Sequence, residues 1–182
     1  MARSEIKICG FGGQGIVTLG RLIASAAHLS GKAVVQTIAY GQESRGGSAW
    51  ADVVIDDEEV DYPKVSAPNI LVLFSQEGLD KFGKIVKENG KVLYDPATVP
   101  SVDIKKKIST FPIAATRIAL DEFKSAVAAN AIMFGAFTKI AGLFNEETAR
   151  SSLESTLPNR VLGLNLQAFQ KGAYVASNLL KR

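Results

Sequence analysis

Four glycines fall among six consecutive residues near the start of the chain, Gly10-Phe11-Gly12-Gly13-Gln14-Gly15. Gly10, Gly12 and Gly15 fit the spacing G-x-G-x-x-G. The chemistry of that spacing is phosphate cradling: the backbone turns sharply, no Cβ obstructs the ligand, and the N–H groups opening the next helix face an anion. The plainer use is a tight strand-to-helix turn that serves packing alone, although packing seldom needs so many glycines. A second stretch, Tyr40-Gly41-Gln42-Glu43-Ser44-Arg45-Gly46-Gly47, sets an aromatic ring, a carboxylate, a guanidinium and three glycines within eight residues. Arg45 between flexible neighbours can grip a phosphate or carboxylate bidentately. Equally, the stretch can be a hairpin connection in which Glu43 and Arg45 are simply solvated. If both stretches serve a ligand, the two glycine-bearing corners must converge on one anionic group.

Three further residues bear on chemistry. Asn130 lies in a nearly continuous apolar run and needs a hydrogen-bond partner there, either a nearby backbone carbonyl or a ligand. Cys9 is the only cysteine, which excludes an intrachain disulfide and a cysteine-ligated iron–sulfur cluster built by this chain alone. As the end of a strand beside the glycine turn, it reads as a small buried hydrophobe. His28, the only histidine, has no metal-spaced partner and reads as a partly exposed helix residue. No catalytic base and no metal site emerge.

The elements that must position these residues follow from periodicity. Residues 5–9 alternate apolar and polar as a strand does, and Ile16, Leu19, Ile23 and Ala26-Ala27 recur at helical spacing, so the glycine turn lies between a strand and a helix. Residues 33–39 form a second strand. In a dinucleotide-binding fold it should close on Asp or Glu for the ribose hydroxyls. It closes instead on Thr37-Ile38-Ala39-Tyr40-Gly41, which argues against a simple NAD site. Residues 48–56 are a strand followed by the acidic turn Asp57-Glu58-Glu59, and 70–74 are a continuous apolar strand buried on both faces. Ser75 caps a helix with Leu79, Phe82 and Val86 on one face, stopped by Asn89-Gly90. Strands at 91–95 and 107–113 follow, the latter at a sheet edge because of Pro112. The last third is helical: an apolar segment over 126–144, a short acidic helix from Asn145, and a final helix with Leu162, Leu166, Phe169, Ala173, Ala176 and Leu180 as a core stripe. The expected fold is therefore α/β and Rossmann-like: a mostly parallel sheet flanked by helices, antiparallel near the 40–47 loop, with a helical C-terminal third.

The chain has 182 residues, 47% of them apolar and 21% charged, with a net charge of +3, which suits one soluble domain spanning 1–182. Basic residues are dispersed and not interleaved with aromatics, so nucleic acid is not an expected partner. The 126–144 run is long enough to suggest a membrane span, but Asn130, Lys139, Gly135 and Gly142 spoil it, and no membrane association is expected. Nothing resembling a signal peptide or lipidation motif precedes the first strand, and the expected location is cytoplasmic.

Taken together, the Gly10–Gly15 turn and the Tyr40–Gly47 loop resemble the gamma subunit, or gamma domain, of the 2-oxoacid:ferredoxin oxidoreductases. The resemblance extends to the acidic turn, Asp61-Tyr62-Pro63, the 70–74 strand, and Asn130 followed by Gly135. It implies that a 2-oxoacid, coenzyme A and oxidised ferredoxin give acyl-CoA, carbon dioxide and reduced ferredoxin, a reaction that can also run in reverse. It further implies that thiamine diphosphate is held by alpha and beta subunits and the iron–sulfur clusters by cysteine-rich, ferredoxin-like parts. The gamma chain, inactive alone, would help enclose the active-site region and assist binding of coenzyme A as co-substrate. On that reading the binding residues are Gly10, Gly12, Gly13, Gln14, Gly15, Tyr40, Gly41, Glu43, Arg45, Gly46, Gly47 and Asn130. The Tyr-Gly-x-Glu-x-Arg-Gly-Gly form looks like 2-oxoglutarate or branched-chain 2-oxoacid enzymes more than pyruvate ones, and 2-oxoglutarate is the oxoacid we expect. Pyruvate, branched-chain or indolepyruvate enzymes, or a free-standing Rossmann-type nucleotide-binding module, are the alternatives.

Overall fold

The computed structural model describes residues 3–41 and 46–181. Six strands make one mixed sheet: β1 (Ser4–Phe11), β2 (Ala33–Tyr40), β3 (Ser48–Asp56), β4 (Ile70–Leu73), β5 (Lys91–Tyr94) and β6 (Ser109–Pro112). Their order is β2-β3-β1-β4-β5-β6. β1 runs parallel to β4, β4 to β5 and β5 to β6, whereas β3 is antiparallel to both its neighbours. The antiparallel part is thus the hairpin around residues 40–47, as its turn-rich composition leads one to expect.

The alternation in β1 sends Ile6 and Ile8 to one face and Lys7 and Cys9 to the other. The first face carries the larger core, covered by α1 (Ile16–Leu29), α3 (Ala115–Phe123), α4 (Ala128–Ala141), α5 (Glu146–Thr156) and α6 (Asn159–Leu179). The second is packed by Cys9, Leu71, Leu73, Val86, Val92 and Val99 beneath α2 (Gln76–Phe82). On that face Lys7 and Asp52, opposite one another in the β1–β3 ladder, form a buried ion pair, with the Lys7 ammonium 4.6 Å from the Phe82 ring centroid.

Several expectations need correction. β1 continues past Cys9, because Gly10 and Phe11 still pair with Ala49 and Ser48. Ser75 does cap α2, accepting from Gly78 N–H at 3.2 Å, but the helix ends at Phe82 in a single 3₁₀ turn and does not reach Asn89-Gly90. The Lys106 ammonium donates to the carbonyls of Lys84 and Val86 at 2.8 and 2.9 Å, supplying partners that further helical turns would otherwise provide. α3 carries no signal read above. Its start is set by Asp95, fully buried at the end of β5, whose Oδ2 accepts from Thr116 N–H at 2.7 Å. In α6 the buried stripe is Asn165, Ala168, Phe169, Gly172, Ala173 and Ala176. Leu162 and Leu166 are half-buried and Leu180 is exposed.

The apolar segment is α4, buried on nearly every side inside the fold rather than in a membrane; among the described residues no helix is long and apolar enough to cross one. Gly135 and Gly172 let α4 and α6 touch backbone to backbone. A Cβ on Gly135 would lie 2.0 Å from Phe169 O, and one on Gly172 only 1.8 Å from Ile132 O.

Candidate functional site

The glycine turn is built as the spacing predicts. β1 ends at Phe11, and Gly15 at the N-cap of α1 adopts left-handed dihedrals, φ 72° and ψ 26°, a conformation that favours glycine. As a cap without a side chain, it leaves the first N–H groups of α1 facing outward, unpaired within the helix and at the positive end of its dipole. Gln14 braces the turn: its Oε1 accepts from Phe11 N–H at 2.6 Å and its Nε2 donates to Phe74 O at 3.2 Å. Its amide is therefore engaged within the chain, where it holds the loop's shape. Gly10 lies under this brace, where a Cβ would meet Gln14 Oε1 at 2.6 Å.

The two corners do meet. Gly12 N–H donates to Gly47 O at 2.9 Å, and a Cβ on Gly12 would sit 3.5 Å from Gly46 Cα. Gly41 N–H donates to Ser48 O at 2.6 Å, closing the hairpin behind them. Tyr40, at the end of β2, is 66% exposed. Glu43 and Arg45 lie outside the described residues.

Behind Gly13 and Gly15 opens a cavity of about 230 Å³, too small for a whole nucleotide and suited to one end of a larger ligand. Its polar lining is Gln14, Thr18, Thr116, Asn130 and Asn165, and no charged side chain among the described residues reaches it. Asn130, projecting from α4, packs against the turn so closely that a Cβ on Gly15 would lie 2.0 Å from its Nδ2. The residue is only 8% exposed, yet its Oδ1 has no hydrogen-bond partner among the described residues. The carboxamide thus presents an unmet acceptor beside the turn. A backbone carbonyl, the partner considered from the sequence, could serve only the Nδ2; the atom left unmet is the acceptor Oδ1.

Asn165, Thr18 and Thr116 were not singled out from the sequence. Asn165 carried a usable signal, as a polar residue inside the α6 stripe. It is 4% exposed, and its Nδ2 donates to Val161 O at 2.8 Å. Cys9 lies under α2, where burial pushes its thiol up to about 12, so it is an inert packing residue as expected. His28 is exposed in the last turn of α1. A larger cleft of about 570 Å³ lies between α2 and residues 101–106, floored by Leu79, Gly83 and Ile104, but none of the predicted site residues lines it.

A mixed, helix-flanked sheet with a glycine turn opening onto an uncharged, largely apolar cavity that carries a few amide and hydroxyl groups is an architecture that can hold a ligand, with no catalytic group apparent among its described lining residues. Residues 5–175 match the pyruvate ferredoxin/flavodoxin oxidoreductase family, and the chain belongs to it. It is 41% identical to the 2-oxoglutarate synthase subunit KorC of Methanocaldococcus jannaschii, over 97% of this chain and 96% of that one. Its fold matches the gamma subunit of a keto/oxoacid ferredoxin oxidoreductase from Geobacter sulfurreducens with a TM-score of 0.84 and 30% identity, covering 96% of this chain and 99% of that one. The 2-oxoglutarate:ferredoxin oxidoreductase from Magnetococcus marinus, solved with 2-oxoglutarate, coenzyme A and succinyl-CoA bound, matches with a TM-score of 0.87 and 26% identity. There the match covers 98% of this chain but only 32% of the longer one. The likeness to gamma-type chains of the 2-oxoglutarate enzymes, read from the two glycine-bearing loops, is thus borne out.

Proposed function

We propose that this chain is the gamma subunit of a thiamine-diphosphate-dependent 2-oxoacid:ferredoxin oxidoreductase acting on 2-oxoglutarate, and that its part is to hold coenzyme A. The observation that carries this reading is the buried, unpartnered Asn130 amide, set against the glycine turn and the open N-terminus of α1. Helix N–H groups suit a phosphate, and the Asn130 Oδ1, an acceptor, suits a hydroxyl or amide N–H of the same ligand. The M. marinus enzyme, which contains a unit of this fold, was solved with coenzyme A and succinyl-CoA bound.

In this reading the alpha and beta subunits hold thiamine diphosphate, which supplies the carbanion chemistry of oxoacid decarboxylation. Cysteine-bearing, ferredoxin-like parts carry the electrons to ferredoxin, and the complex works in the cytoplasm. This chain's own residues act on the co-substrate. The turn from Gly10 to Gly15, kept in shape by Gln14, and the Tyr40, Gly41, Gly46 and Gly47 corner form a cradle. Arg45 and Glu43 complete the proposed set, Arg45 as the positive charge that the cavity lining lacks. Anchoring the nucleotide end fixes the reach of the thiol arm toward the acyl group on the neighbouring subunits, which is catalysis by positioning.

The test uses the assembled complex, reconstituted with wild-type chain or with Arg45→Ala. The substitution is expected to raise the KM for coenzyme A and leave that for 2-oxoglutarate unchanged. An unchanged coenzyme A KM removes Arg45 from the site. Micromolar NAD binding by the isolated chain, with no thiamine-containing partners on copurification, would instead support a free-standing nucleotide module. A panel of oxoacids assayed with ferredoxin decides the substrate.

A further inference from the structure

The sheet has two open edges, built in opposite ways. β6 spans Ser109–Pro112, ends on a proline and is approached through Lys105, Lys106 and Lys107, features that discourage strand addition. β2 is twice as long, Ala33–Tyr40, and carries no charge and no proline. Its pairing with β3 runs unbroken from Ala33 opposite Asp56 to Tyr40 opposite Ala49. The outward groups follow from the ladder. Gly41 N–H bonds inward to Ser48 O, so by alternation Ala39, Thr37 and Val35 also bond inward. The N–H and C=O of Val34, Gln36, Ile38 and Tyr40 then point away from the sheet. Among the described residues no strand pairs with them. Beside this edge, on the α1 face, Ile38 and Tyr40 are 43% and 66% exposed.

We propose that this edge pairs antiparallel with β2 of a second copy of the chain, about a two-fold axis through Thr37. Only the outward residues can exchange hydrogen bonds across such a seam. The symmetric register that uses all of them sets Val34 opposite the partner's Tyr40 and Gln36 opposite the partner's Ile38. Thr37 then faces the partner's Thr37 in a non-hydrogen-bonded pair. An aromatic ring against a β-branched side chain is a favourable cross-strand pair, and an uncharged strand opposes no like charges. The edge is therefore its own complement, which is what a two-fold interface requires. One strand pair covers less area than a standard interface, so the free chain dimerises in a concentration-dependent way. The dimer joins the two sheets into one continuous sheet; no β2 residue lines the cavity behind Gly13 and Gly15, and Tyr40 is the one residue shared between the seam and the proposed cradle.

The experiment is sedimentation velocity on the full chain over a concentration series, with four variants that need neither coenzyme A nor oxoacid. Wild type is expected to shift from monomer to dimer. Ile38→Pro deletes an outward N–H and no bond to β3, so it should stay folded and monomeric, whereas Ala39→Pro deletes an inward bond and should lower the melting temperature. Mild oxidation of Thr37→Cys is expected to give a covalent dimer, because the pair across the axis is about 4.5 Å apart at Cα. Val35→Cys should give none, and the buried Cys9 does not interfere. Two results overturn the proposal. One is a chain monomeric at every concentration, with no Thr37→Cys cross-link in the free chain or the assembled complex. The other is protection of the Val34, Gln36, Ile38 and Tyr40 amides only by a strand of a different subunit.

Discussion

Asn130→Ala separates a binding role for the site from a structural one, because the two roles give opposite signs in stability. The Asn130 Oδ1 is buried without a protein partner, a situation that costs roughly 1–3 kcal/mol. Deleting the carboxamide relieves that cost. It also leaves a small void against Gly15, worth about 1 kcal/mol in lost packing. The net change lies between zero and about 2 kcal/mol in favour of the variant. For a chain of this size each kcal/mol moves the melting temperature by about 2–4 °C, so Tm is expected to hold or rise by a few degrees. The bond this oxygen would accept from a ligand hydroxyl or amide N–H is worth about 0.5–1.5 kcal/mol, and its loss should weaken coenzyme A binding by about 2- to 12-fold. Thermal unfolding of the free chain and calorimetric titration of coenzyme A into the assembled complex read the two numbers. A Tm lowered by more than about 4 °C together with unchanged coenzyme A affinity would refute the reasoning, since it would mean the amide is satisfied in solution and serves the fold.

Other expectations follow from the same geometry. Gly135→Ala and Gly172→Ala should each force α4 and α6 apart and cost about 1–3 kcal/mol or more, seen as a Tm loss of several degrees; Gly163→Ala, inside α6 with nothing within 4 Å of its Cβ, is the control and should raise Tm slightly through helix propensity. Breaking the buried ion pair with Lys7→Ala strands Asp52 and should cost about 3–5 kcal/mol, whereas Lys7→Met with Asp52→Leu should recover most of that in a denaturant titration. The Cys9 thiol, pushed up from 9.0 to about 12 by burial, should resist alkylation in the native chain and react only on unfolding. Its stabilising contribution is complete below pH 9 and falls as pH rises from 9 toward 12, because the unfolded chain loses that proton first. A Cys9→Ala chain should accordingly show a flatter alkaline limb in a Tm-against-pH series.

The legible parts of this molecule were those in which local chemistry and tertiary role coincide. Gly10 to Gly15 could be placed between a strand and a helix because alternation on one side and helical spacing on the other are both short-range signals. β3 was readable to the residue, since Ser48 to Asp56 is bounded by turn chemistry at both ends. The parts that could not be read depend on long-range partners. α3 starts where Asp95, from the other side of a crossover, reaches Thr116 N–H, and nothing within 115–123 announces that carboxylate. α2 stops early because Lys106, far along the chain, takes the carbonyls that a longer helix would have used.

The site divides along the same line. Its rim of glycines was visible, and so was the oddity of Asn130 in an apolar run. That Asn130 comes to rest on Gly15, and that Asn165 and Thr116 join it, follows from how α4 packs between α1, α3 and α6 and could not be read from any one segment. One residue ties the two levels together. Gly15 is required locally by its left-handed turn and globally by the amide laid against it, so a side chain there would lose the helix cap geometry and the polar wall in one step. A glycine chosen only for a turn would not need that second clearance, which is the ground on which Gly15 and Asn130 are proposed to act together in binding.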